Sequence, residues 1–401
     1  MEDFFKVVSL SEGQNLLKRV LPPGVEQVSL IDAVGRVLAG PVVSREELPG
    51  FSRSSVDGYA VAANDTYGAT EGIPAFLQNL GYIAIGQVPA NSIHLGECMY
   101  IPTGGMLPEG ADSVVMLEYT ELLGEDTVLT SRPVGPGENV IYRGEDIKSG
   151  EEVYPAGYCL RPQDIGVLSA IGIKSVEVKA PLRVGIISSG DEVVPPDEQP
   201  GPAQVRDING YVLTSACLSQ GAIANFYGIV GDDFAKLKSA ISQAVAENDL
   251  VLMSGGSSVG FKDMSLKAML ELPAARLLFH GLAVKPGKPT LAVQCDNKLV
   301  VGLPGHPVSA YIMYDVLVRP LLDSRPRLAV TAKLLANLPS AAGRDDLIRV
   351  MLYEDTQGLT ASPVWGKSGL MRIMTRADGY VHIPPHQQGI PSGETVTVQL
   401  F

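Results

Sequence analysis

Glycine, serine and carboxylate residues cluster in four short loops between residues 188 and 307. Each loop follows an apolar run that is typical of a buried strand. In an open parallel sheet the carboxyl ends of the strands meet at one edge, and ligands bind in the loops there. The sequence therefore predicts a polar ligand site at one edge of a sheet. The loops are Ser188-Ser189-Gly190-Asp191-Glu192, Gly231-Asp232-Asp233, the segment from Ser254 to Gly260, and Pro304-Gly305-His306-Pro307.

The third loop is suited to binding an anion. Gly255 and Gly256 allow backbone N–H groups to approach a ligand, Ser257 and Ser258 add hydroxyl donors, and a following helix adds a positive dipole. The alternative is a tight strand-to-helix turn with Asp263 as the helix N-cap, and the sequence leaves both readings open. The loop is not a Walker phosphate loop, because the ending GK[ST] is missing.

Carboxylates converge on the same predicted edge. Asp191, Glu192, Asp232, Asp233 and Asp263 all lie behind predicted strands. Oxygen donors of this kind suit Mg²⁺, which is often bound by one or two carboxylates together with substrate phosphates. Each carboxylate taken alone is equally consistent with a helix cap or a solvated loop charge, so the predicted magnesium site depends on their convergence.

Two lysines and two prolines occupy stiff turns nearby. Lys285 and Lys288 lie in the sequence KPGKP, where fixed proline φ angles reduce the entropy lost on holding an anion. A solvated turn is the alternative. Pro307 suits the first turn of a helix and, with Pro304, forms a rigid wall at a strand end. His306 between them is either a base or a surface capping residue.

The first half of the sequence has two further loops of this type. Asp57 precedes a predicted strand in SVDGYA, and Thr103 follows one in IPTGG. Taken alone, Asp57 with its following glycine indicates no more than a turn. These loops become functional candidates only when they are considered with the rest of the sequence.

The elements that position these residues fall into three regions. Alternating strands and helices over 181–324 predict a mostly parallel sheet covered on both faces, with helices over 210–220, 233–248, 263–272 and 307–321. A further helix is expected over 11–20 with Ser11 as its N-cap, and a short one before Gly172. The flanking regions have short strand-like runs between glycines and prolines. We therefore expect a multi-domain α/β plus β protein with two β-rich N-terminal modules and a small C-terminal β-barrel.

Composition limits the function classes. The 401 residues include 43 Gly and 29 Pro, and 45% are hydrophobic, which indicates a globular and turn-rich protein. The net charge of -13 argues against a nucleic-acid or anionic-membrane surface. No long apolar run and no signal-peptide pattern is present, so we expect a cytoplasmic protein.

Cysteines and histidines add little predicted chemistry. The cysteines are far apart without a CxxC pair, so we interpret them as reduced and mostly buried thiols. His382 and His386 are separated by Pro384 and Pro385 and so are not set on a helix face, and we assign them no site. The cysteines are Cys98, Cys159, Cys217 and Cys295.

Taken together, the motifs resemble those of the molybdopterin molybdenumtransferases of the MoeA type, which the E domain of gephyrin also represents. The resemblance covers essentially the whole chain and keeps the order of the family's motifs. The motifs are SSVDGYAV, IPTGGMLPEGADSVVMLE, VGPGENVIYRGEDI, LRPQDIGVLSAIG, VGIISSGDEV, SGGSSVGFKD, VKPGKP and GLPGHPVSA.

The resemblance implies insertion of molybdate into adenylylated molybdopterin with release of AMP, assisted by Mg²⁺. It also implies a homodimer, small-molecule substrates and a transient contact with the molybdopterin adenylyltransferase, without a nucleic-acid or membrane partner. The implied domains are 25–48 with 144–180, a β module over 49–143 that contributes to the partner subunit's site, an α/β molybdopterin-binding domain over 1–24 with 181–324, and a C-terminal domain over 325–401.

Site residues carry over by motif. The resemblance implies catalytic roles for Asp57, Thr103, Glu192, Asp232 and Asp263, and metal binding by Asp57, Asp146, Glu192 and Asp232. It implies ligand binding by Gly255, Gly256, Ser257, Ser258, Lys285, Lys288, Pro304 and Pro307, and an oxyanion subsite of Ser368 with Arg344 or Arg349.

The chain departs from the family pattern at three places. His306 replaces the usual Asn, Gly281 stands where some members have a second lysine, and the residues around Ser368 differ. Two other functions stay open at this point. One is a molybdopterin adenylyltransferase, whose single domain resembles residues 181–322, and the other is an inactive scaffold of the same fold.

Overall fold

The chain forms two compact units. The computed structural model describes residues 6–21, 24–255, 259–323, 325–356 and 358–401, with only the backbone described for 259–263 and 355. The first unit consists of Met1–Gly24 with Ala180–Phe401, and the second unit consists of Val25–Lys179. The finer domain boundaries expected from the sequence stay a prediction.

The first unit begins with helix α1 (Leu10–Lys18). Its N-cap is Ser9, whose Oγ accepts the Glu12 N–H at 3.2 Å. The predicted cap at Ser11 is therefore wrong by two residues, because Ser9 also supplies a hydroxyl and its backbone is extended, as an N-cap requires.

The second unit is built from short strands, as the glycine and proline spacing predicts. Strands β4, β5, β6, β7, β8 and β9 form a six-stranded sheet in the order β7-β4-β6-β5-β9-β8, and three antiparallel pairs join β1 to β12, β2 to β11 and β3 to β10. Apolar side chains cover both faces of the larger sheet. The elements are β1 (Val25–Ser29), β2 (Val42–Val43), β3 (Arg53–Ser54), β4 (Gly58–Val61), β5 (Ala75–Tyr82), β6 (Glu97–Ile101), β7 (Ser113–Met116), β8 (Thr120–Leu123), β9 (Thr127–Thr130), β10 (Val140–Ile141), β11 (Glu152–Tyr154), α2 (Pro162–Ala170) and β12 (Ser175–Lys179).

The middle of the chain forms the α/β part of the first unit. Its elements are β13 (Arg183–Ser189), β14 (Val193–Val194), β15 (Val205–Arg206), α3 (Asn209–Ser219), β16 (Ile223–Val230), α4 (Phe234–Glu247), β17 (Leu250–Gly255), α5 (Val259–Leu270), β18 (Ala275–His280), β19 (Val284–Lys285), β20 (Leu291–Cys295), β21 (Lys298–Leu303), α6 (Pro307–Met313) and α7 (Arg319–Leu322), with a π-helical segment, Tyr314–Val318, between the last two.

A six-stranded sheet organises this part in the order β16-β13-β17-β21-β20-β18. The first four strands are parallel, β20 is antiparallel to β21, and β18 is antiparallel to β20, so the predicted mostly parallel sheet is confirmed. Side chains alternate along β17: Leu250 and Leu252 pack with α1, α3 and α6, while Val251 and Met253 pack with α4 and α5. Both faces are therefore covered, which explains the continuous apolar sequence of the strands.

The C-terminal region closes into a five-stranded barrel. Strand β24 pairs with both β25 and β26, and the circuit runs β24-β25-β22-β28-β26 and back to β24. The predicted small barrel is confirmed. Its elements are β22 (Ala329–Leu334), β23 (Leu338–Pro339), β24 (Asp345–Asp355), β25 (Gly358–Pro363), β26 (Gly379–Ile383), β27 (Gly389–Ile390) and β28 (Thr395–Leu400).

The cysteines behave as packing residues. Cys98, Cys217 and Cys295 are buried, Cys159 is half-buried, and all four are free thiols. Burial raises the pKa of Cys98 and Cys217 to about 12, so these thiols stay protonated and unreactive near neutral pH. Within the described ranges, no helix has the length and apolar character needed to cross a membrane.

Candidate functional site

The carboxyl ends of β16, β13, β17 and β21 lie side by side at one edge of the sheet. Ser189 at the end of β13 pairs in register with Gly255 at the end of β17, and the Gly190 N–H donates to the Val230 carbonyl at 3.1 Å. The structure thus brings together the strand ends that lead into the loops that the sequence singles out. Gly255 is required there, because a Cβ on it would overlap the Ser189 carbonyl.

Asn209 joins two of these loops and was not among the predicted site residues. Its side-chain Nδ2 donates to Ser254 Oγ at 2.6 Å and to the Gly305 carbonyl at 2.8 Å. The Asn209 side chain lies at the first residue of α3 and therefore fixes the end of β17 relative to the loop after β21. The available signal was an Asn-Gly pair at a predicted helix start, which by itself indicates a turn.

Three carboxylates gather where β13 and β16 end. Asp191 Oδ1 accepts the Asp232 N–H at 2.9 Å. Partial desolvation of Asp232, together with the negative charges of Asp191 and Glu192, raises the pKa of Asp232 above its ordinary value. The cluster therefore holds repelling negative charge that a bound cation would neutralise.

The other two predicted carboxylates have different positions. Asp233 is the N-cap of α4 and accepts the Lys236 N–H at 2.8 Å, so its local role is structural. Helix α5 begins at Val259, so Asp263 lies inside the helix and the predicted cap at Asp263 is wrong. The described side chains do not include that of Asp263, and the predicted anion-binding residues Gly256, Ser257 and Ser258 lie outside the described residues.

The lysine turn is anchored on α6. Lys285 and Lys288 are both exposed. Between them, Gly287 has φ +113° and lies so close to Met313 that no side chain fits at this position. Thr290 closes the turn, since its Oγ1 donates to the Gly287 carbonyl at 2.6 Å. Two cationic groups are therefore held on a fixed backbone.

The C-terminal barrel region supplies one cationic side chain, Arg349, and one hydroxyl side chain, Ser368, to the candidate site. Arg349 on β24 is half-buried, and its Nη2 makes two long bonds of 3.5 Å to the carbonyls of Val364 and Gly366. Its buried Nε has no hydrogen-bond partner among the described residues. Desolvation lowers the pKa of Arg349 below its ordinary value, although an arginine stays charged at neutral pH. A guanidinium in this state has spare donors for an anion.

The segment that follows Gly366 connects this group to the α/β sheet. Ser368 Oγ lies 2.8 Å from His306 Nδ1, and the Ser368 carbonyl accepts the Val308 N–H at 3.1 Å. Arg344, the other candidate, donates from Nε to the buried Asp346 carboxylate at 3.0 Å. The geometry therefore favours Arg349 over Arg344 as an anion-binding arginine beside Ser368.

Pro304 and Pro307 frame the loop that His306 occupies. Pro304 is buried directly after β21, and Pro307 is the first residue of α6, as its fixed φ angle predicts. His306 has extended backbone angles at the N-cap position, but its side chain makes no capping bond. The imidazole is instead directed to Ser368.

In the second unit, Asp57 and Thr103 form a pair. Asp57 Oδ1 accepts the Thr103 N–H at 2.7 Å and the Thr103 Oγ1 hydroxyl at 3.0 Å. These bonds lower the pKa of Asp57 and keep it ionised. The pair is preorganised although the residues lie on different loops, before β4 and after β6. Asp146, also predicted, is exposed on the loop before β11.

The carboxylates at the strand ends suit Mg²⁺ only if a bound ligand completes the coordination of the ion. Among the described side chains, no group of three His, Cys, Asp or Glu residues is arranged to hold a metal ion. The neighbouring Asp191, Glu192 and Asp232 supply only hard oxygen donors, and desolvation together with the two neighbouring negative charges raises the pKa of Asp232. Mg²⁺ commonly binds to one or two carboxylates together with substrate phosphates, and this arrangement fits that pattern.

This fold and site define a multi-domain α/β and β protein with anion-suited loops at the carboxyl edge of a parallel sheet. Three family profiles match the chain in order: MoeA N-terminal region (domain I and II) over residues 8–172, Probable molybdopterin binding domain over 185–324, and MoeA C-terminal region (domain IV) over 331–401. The chain belongs to the MoeA family of molybdopterin molybdenumtransferases, which are transferases of molybdenum cofactor biosynthesis.

Relatives are similar over nearly their full length. The molybdopterin molybdenumtransferase of Haemophilus influenzae is 31% identical over 95% of this chain and 95% of its own length. That of Bacillus subtilis is 30% identical over 94% and 90%. The crystal structure of the molybdopterin biosynthesis MoeA protein from Pyrococcus horikosii has a TM-score of 0.86 and 35% identity, covering 98% of this chain and 99% of that chain.

Proposed function

We propose that this enzyme inserts molybdate into adenylylated molybdopterin and releases AMP. The single observation that carries the proposal is the oxyanion group of Arg349 and Ser368, which is joined to the strand-end loops by the bond between Ser368 and His306. A tetrahedral dianion needs several fixed donors, and among the described residues no carboxylate competes for the Arg349 guanidinium.

The α/β residues bind the other substrate in this proposal. The strand-end loops with Gly255 would receive a phosphate through backbone N–H groups, and Lys285 and Lys288 would counter its charge. Asn209 holds the loops in place. Because the chain carries a net charge of -13, these few cations decide whether an anionic substrate binds at all.

The carboxylates have a separate role. Asp191, Glu192 and Asp232 would hold Mg²⁺, which when bound neutralises charge on the bridging phosphates. The side chains next to the metal would orient the bond whose cleavage releases AMP. Asp57 and Thr103 would bind and orient a reacting oxygen atom. In this proposal the protein accelerates the reaction by neutralising charge and orienting the substrates, and no covalent intermediate forms on the protein.

The resemblance supports three further proposals. The enzyme acts as a homodimer in the cytoplasm, it receives its substrate from the molybdopterin adenylyltransferase in a transient contact, and the second unit of one subunit completes the site of its partner. The free thiols agree with a reducing compartment. Mixing Asp57→Ala and Lys288→Ala proteins tests the shared site, because a mixed dimer has one intact site only if the two residues come from different subunits.

The reaction is tested by supplying each substrate pair to the purified protein. Adenylylated molybdopterin with molybdate should yield active cofactor and AMP, whereas molybdopterin with Mg-ATP should yield little adenylylated product. Substantial ATP-dependent adenylylation would reverse the assignment in favour of the adenylyltransferase.

Two variants test the scaffold alternative. Asp57→Ala should abolish molybdate insertion, because the carboxylate is preorganised by Thr103, whereas Asp126→Ala changes an exposed turn aspartate and should not. Lys288→Ala should weaken substrate binding, while Lys333→Ala, at an exposed lysine on β22, serves as its control. Unchanged insertion in Asp57→Ala would instead favour the scaffold.

A further inference from the structure

His306 and Ser368 form a contact that links the α/β sheet to the barrel. The two residues are 62 positions apart, and His306 Nδ1 lies 2.8 Å from Ser368 Oγ. The Ser368 backbone is tied to the first turn of α6, directly after His306, by the bond from Val308 N–H. The side-chain contact is therefore between two groups whose backbones are already fixed.

The direction of this hydrogen bond decides what Ser368 offers to a ligand. A hydroxyl has one hydrogen to donate and two lone pairs to accept with. If the hydroxyl donates to Nδ1, it presents only lone pairs to the site, and these repel an oxyanion. If Nδ1–H donates to Oγ, the hydroxyl hydrogen is free to point to the oxyanion.

We infer that His306 is a positioning residue that donates from Nδ1–H to Ser368 Oγ and thereby turns the Ser368 hydroxyl hydrogen to the bound oxyanion. The inference rests on the proposed function, since it assigns Ser368 to the oxyanion subsite. It also assigns a role to position 306, where this chain has histidine in place of the asparagine that is usual in the MoeA family.

The stereochemistry of the side chains supplies a matched set of variants. The amide Nδ2 of asparagine occupies the place of imidazole Nδ1, two bonds beyond Cβ, and always carries a donor. The amide of glutamine reaches the place of imidazole Nε2 instead, and alanine reaches neither. His306→Asn therefore keeps the donor to Ser368, whereas His306→Gln and His306→Ala remove it.

The test measures the KM for molybdate and kcat of these variants with adenylylated molybdopterin. We expect KM to rise about tenfold in His306→Gln and His306→Ala, the loss of one oriented donor worth about 1.4 kcal/mol, with kcat at saturating molybdate nearly unchanged. His306→Asn should stay within about twofold of the unchanged protein. Because His306 is exposed, thermal unfolding should be the same in all four proteins.

The outcomes separate the inference from the proposed function. Equal KM values in all variants, or a His306→Asn protein as impaired as His306→Gln, would overturn the role of His306 while leaving molybdate insertion intact. A parent protein that inserts no molybdate would overturn the proposed function itself. In that case equilibrium binding of molybdate alone, measured by calorimetry for the same four proteins, still decides whether the donor at position 306 affects oxyanion affinity.

Discussion

Replacing Arg349 with methionine should separate binding from stability. The guanidinium is half-buried without a carboxylate partner in the described part of the chain, and its two backbone bonds are 3.5 Å long. Hydrogen bonds of N–H to oxygen are usually about 2.7–3.2 Å, so each contributes under about 0.5 kcal/mol here. A fully buried and unpaired ion costs several kcal/mol, and half-burial reduces this to about 1 kcal/mol. The two effects nearly cancel, so Arg349→Met should be about as stable as the parent protein.

Arg327→Met is the matched control. Arg327 pairs with the buried Asp315 carboxylate, and its Nη2 donates to the Asp315 carbonyl at 2.7 Å. Burial raises the pKa of Asp315 despite the nearby arginines, so the carboxylate depends on its partner. Breaking such a pair costs about 3–5 kcal/mol. For a unit of this size, the thermal midpoint should fall by at least about 6 °C in Arg327→Met and by less than about 2 °C in Arg349→Met.

The effects of the two variants on molybdate binding should be the reverse of their effects on stability. Two charge-assisted hydrogen bonds to an oxyanion are worth at least about 3 kcal/mol, so the molybdate KM of Arg349→Met should rise about 100-fold or more. Arg327→Met should keep its molybdate KM at temperatures where it is folded. An Arg349→Met protein that melts as early as Arg327→Met, or that keeps its molybdate KM, would refute the reasoning.

Further predictions concern backbone fit, loop bridging and acid stability. Gly255→Ala should lower the thermal midpoint by several degrees, because its Cβ overlaps the Ser189 carbonyl; an unchanged midpoint would contradict the fit. Asn209→Ala should raise the KM for adenylylated molybdopterin several-fold by releasing two loops, and an unchanged KM would show that the loops hold their positions without it. The bond from Arg161 lowers the pKa of Asp164 from 3.8 to about 2, so this pair stabilises the fold above pH 4 and is lost as the pH falls to about 2. Asp164→Asn should therefore have a lower thermal midpoint at pH 7 and a smaller loss on acidification, and parallel curves would disprove the coupling.

The sequence predicted the sheet and the edge at which its loops converge because both follow from local patterns. Apolar runs, helix periods and glycine-rich turns each depend on neighbouring residues, and the parallel topology then places the strand ends together. Helix starts were less accurate, as Ser9 and Asp263 illustrate, since several residues near each start are chemically able to cap. The contacts of Asn209 with Ser254 and Gly305 depend on packing between distant segments, and no spacing in the sequence indicates them.

The absence of a carboxylate partner identifies the oxyanion-binding arginine better than its positive charge alone. In a chain with a net charge of -13, carboxylates outnumber cations, and Arg344, Arg319 and Arg327 each form an ion pair with an aspartate. Desolvation of a cation that has no carboxylate partner opposes folding. The presence of such a cation is therefore better explained by a bound ligand than by the stability of the fold. Arg349 on β24 meets this description and bonds to the carbonyl of Gly366, two positions before Ser368, whose contact with His306 reaches the α/β loops. Arg349 therefore contributes little net stability to the fold, which is what we expect of a residue that is retained for binding an oxyanion.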